Sequence, residues 1–470
     1  HDPDEHDPDE HDPDEHDPMS RVRVVHRCSE CGAAHPKWAG QCSTCEAWNS
    51  LVEEVDAPTA TTMPVSSGSS APLQITDVAT ESGHPQPTGI GELDRVLGGG
   101  IVAGSVTLLG GEPGIGKSTL LLQLLACWPG TTLYVSAEES TQQVRLRAER
   151  LGAVRTDLWL HAETSMPHIV AAIDQIRPEL VVVDSIQTVA EPELGSAPGS
   201  VVQVRGCAQR LVAEAKRRDI AVVMVGHVTK DGGLAGPRVL EHVVDTVLAF
   251  EGDRHHSLRM LRATKHRFGP TNELGLFEMS GNGLIGVPDA SRLFLADRRV
   301  GVAGSAVVPT IEGRRPIVCE VQALTSGAAG PPVPPRRSAQ GLDAGRLSML
   351  LAVLERRAHI RLAAVDVYAS TAGGVRLTEP GVDLGVCLAV ISAVTAQPVP
   401  ADVVAFGEVG LGGELRQAGQ AQRRLSEAAR MGFRRAIVPA SSPRGQSDIE
   451  LVAVATVVDA LAAAGLGGNT

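Results

Sequence analysis

Residues Gly111-Glu112-Pro113-Gly114-Ile115-Gly116-Lys117-Ser118, followed by Thr119, carry the spacing Gly-x4-Gly-Lys-Ser. Glycines so placed let successive backbone N–H groups turn inward around phosphate oxygens, and the start of a following helix adds the positive end of its dipole. A lysine there reaches the β and γ phosphates, and the serine hydroxyl ligates Mg2+. Residues 111–119 are therefore the expected cradle for ATP or ADP, with Lys117 as its catalytic cation and Ser118 as a Mg2+ ligand. Only five lysines stand among 42 basic residues, so a lysine inside a motif is informative here. Hydrolysis also needs a carboxylate for the metal and a base for the attacking water. Asp184 ends the apolar run Leu180-Val181-Val182-Val183 and is the expected Mg2+ partner; the bland alternative is a strand-end acid capping the next turn. Glu138 and Glu139 follow Leu133-Tyr134-Val135-Ser136, and one of them, Glu138 ahead of Glu139, is the candidate base, unless both are solvated acids at a helix start.

A second constellation lies near the N-terminus. Cys28-x2-Cys31 and Cys42-x2-Cys45 form two knuckles ten residues apart, a spacing that brings four thiolates around one Zn2+. So short a fragment has too little apolar surface to fold without a metal or a crosslink. A pair of disulfides is the alternative, disfavoured in the cytosol. Four sulfur ligands leave no open position, so the module is structural or a docking element and not a hydrolytic centre. The remaining cysteines, Cys127, Cys207, Cys319 and Cys387, sit in apolar stretches and read as buried, inert thiols.

These groups need elements to position them. Val106 to Leu109 reads as a buried strand and Thr119 to Ala126 as an apolar helix, so strand, loop and helix come in the order that a phosphate cradle requires. Further strands are expected at Ala221–Gly226, Thr246–Phe250, Leu258–Ala263 and Gly275–Met279, with helical segments between the earlier ones. The pattern is an α/β doubly wound sheet with later hairpins. Two glycine-rich segments, Glu191 to Ser200 and Lys230 to Gly236, leave its carboxyl edge, as mobile loops that hold DNA or as disordered connections.

Residues 1–18 repeat His-Asp-Pro-Asp-Glu and are set aside as a tail; they carry −10 of the formal −13, which leaves the other 452 residues near −3. That total neither requires nor excludes a nucleic acid partner. A hydrophobic fraction of 43% excludes full-length disorder, and no apolar run approaches the length of a membrane span, so a cytoplasmic location without a membrane partner is expected. The expected organisation is a four-cysteine zinc module at 19–55, a Ser/Thr/Pro tether at 56–72, an ATPase domain at 73–287, a further domain at 288–463 and a tail at 464–470. The stretch Ser326 to Gln340, with four prolines, is either a linker or a long loop.

Thr88-Gly89-Ile90-Gly91-Glu92-Leu93-Asp94 with Gly98-Gly99-Gly100, running into the phosphate cradle, resembles the RecA-like P-loop ATPase core. With the four cysteines before it, Gly226-His227-Val228-Thr229-Lys230-Asp231-Gly232 and Lys265-His266-Arg267-Phe268-Gly269, the chain resembles the bacterial RadA (Sms) family of DNA repair proteins over residues 19 to 460. The resemblance implies an ATP-driven, DNA-binding hexameric ring that promotes branch migration of recombination intermediates and works with the RecA recombinase. That family has Asn where this chain has His266. Lys265 and Arg267 read in two ways: a solvated strand edge, or cations reaching the γ-phosphate bound by the neighbouring subunit. The resemblance favours the second. His227 reads equally as a γ-phosphate sensor or a structural histidine.

Residues 288 to 463 resemble the Lon protease catalytic domain, an α+β fold, in Cys319-Glu320-Val321-Gln322-Ala323-Leu324 and in Phe406 to Glu414. The resemblance makes the proline-rich stretch a loop within that domain. A Lon-type site needs a serine nucleophile and a lysine. Those positions fall near Asp383 and Gln422, and no lysine follows Lys265, so peptidase activity is not expected. Arg416, Arg423, Arg424, Arg430, Arg434 and Arg435 form a basic tract, either a phosphate track or a solvated helix face. Aromatic residues make up 3%, so single-stranded and branched DNA would be held by backbone contacts with little base stacking.

Overall fold

A computed structural model of the chain describes residues 23–28, 33–44, 46, 48–56, 74–77, 83–228, 234–235, 239–252, 258–327, 334–443 and 448–467. The 1–18 tail, Cys31, Cys45, the tether from residue 57 on, Lys230 with most of its glycine-rich segment, and residues 468–470 lie outside them.

The N-terminal module is a three-stranded antiparallel sheet in the order β2-β1-β3, from β1 (Arg23–Cys28), β2 (Ala34–His35) and β3 (Leu51–Asp56). Its core is Cys28, Cys42 and Leu51 with Ala33 against them.

A ten-stranded sheet forms the centre. Its strands are β4 (Val106–Gly111), β5 (Thr132–Ser136), β6 (Leu158–Ala162), β7 (Leu180–Asp184), β8 (Ala221–Val228), β9 (Leu234–Ala235), β10 (Thr246–Gly252), β11 (Leu258–His266), β12 (Leu274–Ser280) and β13 (Gly283–Gly286). They run β13-β12-β11-β10-β4-β8-β7-β5-β6, with β9 paired to β8. β10, β4, β8, β7, β5 and β6 are mutually parallel, and β10 to β13 are antiparallel. The central strands are buried and mostly apolar because both faces are covered. Leu180 and Val182 of β7 face one apolar cluster, Val181 and Val183 the other. The first cluster takes α1 (Gly91–Val96), α2 (Lys117–Cys127) and α3 (Thr141–Arg150); the second takes α4 (Met166–Ile176), α5 (Val201–Arg218) and α6 (Val239–Val243).

Several expectations are corrected. β6, an edge strand with Trp159 exposed, is absent from the expected strands because its apolar pattern is broken by its open side. β11 runs past Ala263 to His266, which puts Lys265 within the strand. Cys127 is exposed, being the last residue of α2. The Glu191 to Ser200 segment is pinned: buried Gln203 accepts from Glu191 N–H and donates to the Glu191 and Ser196 carbonyls.

The C-terminal part has a four-stranded sheet, β14 (Ser305–Glu312), β15 (Arg315–Gly327), β16 (Arg337–Gln340) and β17 (Val365–Thr371), in the order β14-β15-β17-β16. The proline-rich stretch thus joins two strands of one sheet. β18 (Val403–Ala405), β21 (Arg435–Pro439) and β22 (Glu450–Val454) form a parallel sheet, and β19 (Glu408–Val409) pairs with β20 (Leu415–Arg416). The helices are α7 (Ala290–Leu295), α8 (Ala344–Arg357), α9 (Asp383–Thr395), α10 (Ala421–Arg430) and α11 (Val457–Ala463). Leu274 and Leu276 of β12 belong to this part's apolar cluster, so packing crosses the boundary expected at 287/288.

Candidate functional site

The phosphate cradle follows β4 directly. Gly114 and Gly116 take φ values of +79° and +115°, which only glycine adopts readily, and a Cβ on Gly116 would stand 2.6 Å from Met279 Cε. Lys117 Nζ donates to the Gly111 and Glu112 carbonyls at 2.7 and 2.9 Å, inside its own loop. Burial lowers its pKa, and Asp184 and Glu138 pull it back up.

Asp184 ends β7 beside the cradle. The Ser118 hydroxyl donates to Asp184 Oδ2 at 2.6 Å, so the two expected Mg2+ ligands meet although they are far apart in sequence. Tyr134, from the adjacent strand β5, donates to the same oxygen at 2.6 Å. Burial first, and Asp184 second, raise the Tyr134 pKa well above its ordinary value, which keeps it a donor. This contact argues against a mere capping role for Asp184.

The two glutamates part company. Glu139 makes a two-pronged ion pair with Arg147 of α3, both contacts 2.7 Å. Glu138 is exposed, accepts a hydrogen bond from the Ser185 hydroxyl, and lies close enough to act on Lys117. Its setting suits a base; that of Glu139 suits a structural anchor. Tyr134, Ser185 and Arg147 were missed by sequence reasoning, and only the tyrosine left a trace, as a polar tip in an otherwise apolar strand.

Lys265 and Arg267 stand elsewhere. Val247 pairs with Lys265 on one side and with Leu108 on the other, and Asp245 N–H donates to the Val106 carbonyl. Arg267 thus sits level with the start of β4 and Lys265 with its third residue, whereas the cradle leaves the far end, about 16 Å and about 10 Å away at the rise of a strand. Lys265 Nζ donates to the Glu241 and Val244 carbonyls, each at 2.7 Å. Arg267 Nη1 pairs with Asp245 Oδ1 at 2.9 Å. His266 is tied at both ring nitrogens: Nε2 donates to the Leu97 carbonyl at 3.1 Å, and Nδ1 accepts from the Thr246 hydroxyl at 3.0 Å. Burial lowers its pKa and keeps it neutral, as that pattern requires. Of His227 only the backbone, in β8, is described.

In the N-terminal module Cys28 and Cys42 are both buried, and Thr44 N–H donates to Cys42 Sγ at 3.4 Å, the type of contact that stabilises a thiolate at a metal knuckle. Cys28 Sγ donates to Ser50 Oγ at 3.2 Å, and His35 Nε2 lies 3.4 Å from Cys42 Sγ. With two of three core residues being cysteines, the donor set fits Zn2+. Cys31 and Cys45 lie outside the described residues, among which no group of three or more potential ligands occurs.

In the C-terminal part Asp383 is 1% exposed and accepts from Arg346 Nε at 3.0 Å and from Val409 N–H at 3.0 Å. An ion pair thus occupies the expected nucleophile position, and Gln422 is exposed on α10. Four of the six arginines of the tract make ion pairs; only Arg424 is buried, which removes it from both a phosphate track and a solvated face, while Arg416, Arg423, Arg430 and Arg434 are exposed. Arg424 is 1% exposed and forked onto Glu379 at 2.6 Å; Arg430 pairs with Asp289 and Glu427, Arg435 with Asp402 and Arg416 with Glu414.

Three family models match the chain: one described as an AAA domain at residues 71–233, one as a rubredoxin metal binding domain at 26–53, and one as the Lon protease (S16) C-terminal proteolytic domain at 362–458. The fold is accordingly a RecA-like P-loop ATPase core between a zinc-ribbon module and a Lon-protease-like domain, and the core binds nucleotide with Mg2+. Curated proteins called DNA repair protein RadA are similar over nearly the whole chain. That of Halalkalibacterium halodurans is 48% identical over 453 residues, 94% of this chain and 99% of its own. That of Bacillus subtilis (strain 168) is 47% identical over 462 residues, 96% and 100%. That of Mycolicibacterium smegmatis is 46% identical over 457 residues, 92% and 95%. With identity of this extent and all three modules in the same order, the chain belongs to the RadA family of DNA repair proteins and is an ATP-hydrolysing member of it.

Proposed function

We propose that the protein is a DNA-stimulated ATPase of recombinational repair, a hexameric ring that binds single-stranded and branched DNA and drives branch migration together with the RecA recombinase in the cytoplasm. One observation carries the assembly: Arg267 stands at the opposite end of β4 from its own phosphate cradle and Lys265 midway along, so they serve hydrolysis only in a neighbour's pocket.

In each pocket residues 111–119 hold the triphosphate, and Ser118 and Asp184 would hold Mg2+, which would neutralise charge on the phosphates. Lys117 gives up its two loop carbonyls for phosphate oxygens. Glu138 takes the proton of the attacking water while Ser185 fixes its carboxylate, and Tyr134 holds Asp184 in place. Lys265 and Arg267 of the adjoining subunit stabilise the charge that develops on the γ-phosphate. Cys28, Cys31, Cys42 and Cys45 hold Zn2+ in a module that presents Trp38 and Trp48, 60% and 72% exposed, for docking to a partner.

The test is ATP hydrolysis with and without single-stranded DNA, in the parent and in Lys117→Ala. Stimulation in the parent and none in the variant is expected. A rate that ignores DNA, or a protein that stays monomeric with both ligands present, would favour a nucleotide-switched scaffold instead.

A further inference from the structure

Glu92, on α1, is 4% exposed and lies in a slot made by glycines of β12 and β13. A Cβ on Gly275 would stand 2.6 Å from the Glu92 carbonyl oxygen, and one on Gly286 would stand 3.1 Å from its Cγ. A carboxylate so enclosed needs partners. Leu276 N–H donates to Oε2 at 2.9 Å, and Arg315 Nη1 donates to the same oxygen at 2.5 Å, with Arg95 Nε 3.6 Å from Oε1 on the outer side. Arg315 is 6% exposed and belongs to β15, in the sheet of the C-terminal part. Its other hydrogen bonds reach the Leu274, Val287 and Pro288 carbonyls.

α1 touches the hydrolytic machinery on two sides. Leu93 and Leu97 pack with Leu109 of β4 and with Leu120, Leu121 and Leu124 of α2, the strand and helix that bracket the phosphate cradle. The Leu97 carbonyl receives His266, the residue between Lys265 and Arg267. A continuous set of buried contacts thus runs from Arg315 through Glu92 and α1 to the turn that carries both cations.

We propose that Arg315 is a positioning residue for ATP hydrolysis: from the Lon-like domain it holds Glu92 and α1, and thereby fixes the Lys265–Arg267 turn. The inference rests on the role proposed above for those two cations. A buried pair that only stabilised the fold would leave turnover unchanged in any variant that still folds.

The test uses the full-length protein with ATP, Mg2+ and single-stranded DNA, and reads kcat and KM for ATP separately. Arg315→Met is expected to lower kcat about tenfold or more while KM moves less than about twofold. Arg315→Lys should recover much of the loss. In a Lys265→Ala background, where kcat is already reduced, Arg315→Met should add no further loss, because both act at one turn. Since Arg315→Met alone leaves the buried Glu92 charge with only the longer contact to Arg95, the double variant Glu92→Gln/Arg315→Met is included; it is neutral at both positions, and its glutamine still accepts from Leu276. Thermal unfolding establishes that it is folded.

Parental kcat in the folded double variant overturns the inference, and so does an additional loss on top of Lys265→Ala. The two failures separate cleanly. Parental kcat in Lys265→Ala refutes the role given to the cations, whereas a defective Lys265→Ala beside unimpaired Arg315 variants refutes the positioning role alone.

Discussion

Asp184 receives hydrogen bonds from both Ser118 and Tyr134, so the metal-side carboxylate is oriented by two hydroxyls from different elements. Tyr134→Phe should therefore keep the fold and nucleotide binding but lower kcat by about tenfold, the effect of one lost hydrogen bond to a charged group. Glu138→Gln should cost about 10²- to 10⁴-fold in kcat with ATP affinity retained, as expected for a general base. Glu139→Gln, which only weakens the pair with Arg147, should leave chemistry within about threefold and lower the melting temperature slightly. Steady-state hydrolysis and a nucleotide-binding titration check all three; equal defects at Glu138 and Glu139 would refute the assignment. The cradle was legible because its chemistry is local, written in closely spaced glycines and one lysine. Ser185, Arg147 and Asp245 were not, because each acquires its role from a partner on another strand or helix. His266 shows the same limit: it departs from the family motif, yet both its nitrogens are satisfied by groups that only the folded sheet brings near.

Elements were readable where both faces are buried. β4, β5, β7 and β8 are mostly apolar, and each stands out in the chain; β6 is exposed along one side and does not. The arginines after Gly413 show how charge misleads when partners are unseen. Arg424→Ala would leave the half-buried Glu379 without its cation and should cost about 3 kcal/mol of stability, read by denaturant unfolding. DNA affinity of whatever remains folded should be unchanged, since that guanidinium faces inward. At the start of α7, Asp289 caps Arg292 N–H and pairs with Arg430, which holds its carboxyl down to about 2 from an ordinary 3.8. A depressed carboxyl stabilises the fold above its unfolded pKa. Its contribution, about 1 kcal/mol after allowance for partial exposure, should be complete above about pH 4 and disappear as pH falls towards 2. Unfolding of Asp289→Asn against the parent at pH 7 and pH 3 measures it, with a smaller difference at the lower pH.

For the assembled molecule the main expectation concerns salt. With few aromatics available for stacking, affinity for single strands should fall steeply between low and moderate ionic strength and vary little with sequence. A titration at two salt concentrations decides this; a flat response would contradict a backbone-held strand. The modular layout was legible in outline, through the cysteine pairs, the phosphate cradle and the Lon-like motifs. How the modules adhere was not, because the join is made by residues that look ordinary in the chain. Leu274 and Leu276 lie on a strand of the ATPase sheet, yet they are buried among Ala290, Phe294 and Leu350 of the part that follows. Arg262 reaches Glu312, and the Asn272 carbonyl receives Arg314 N–H. An ATPase part severed after residue 287 would therefore bare a sticky flank and clump. The Lon-like part thus closes over an apolar edge that the ATPase sheet does not cover by itself.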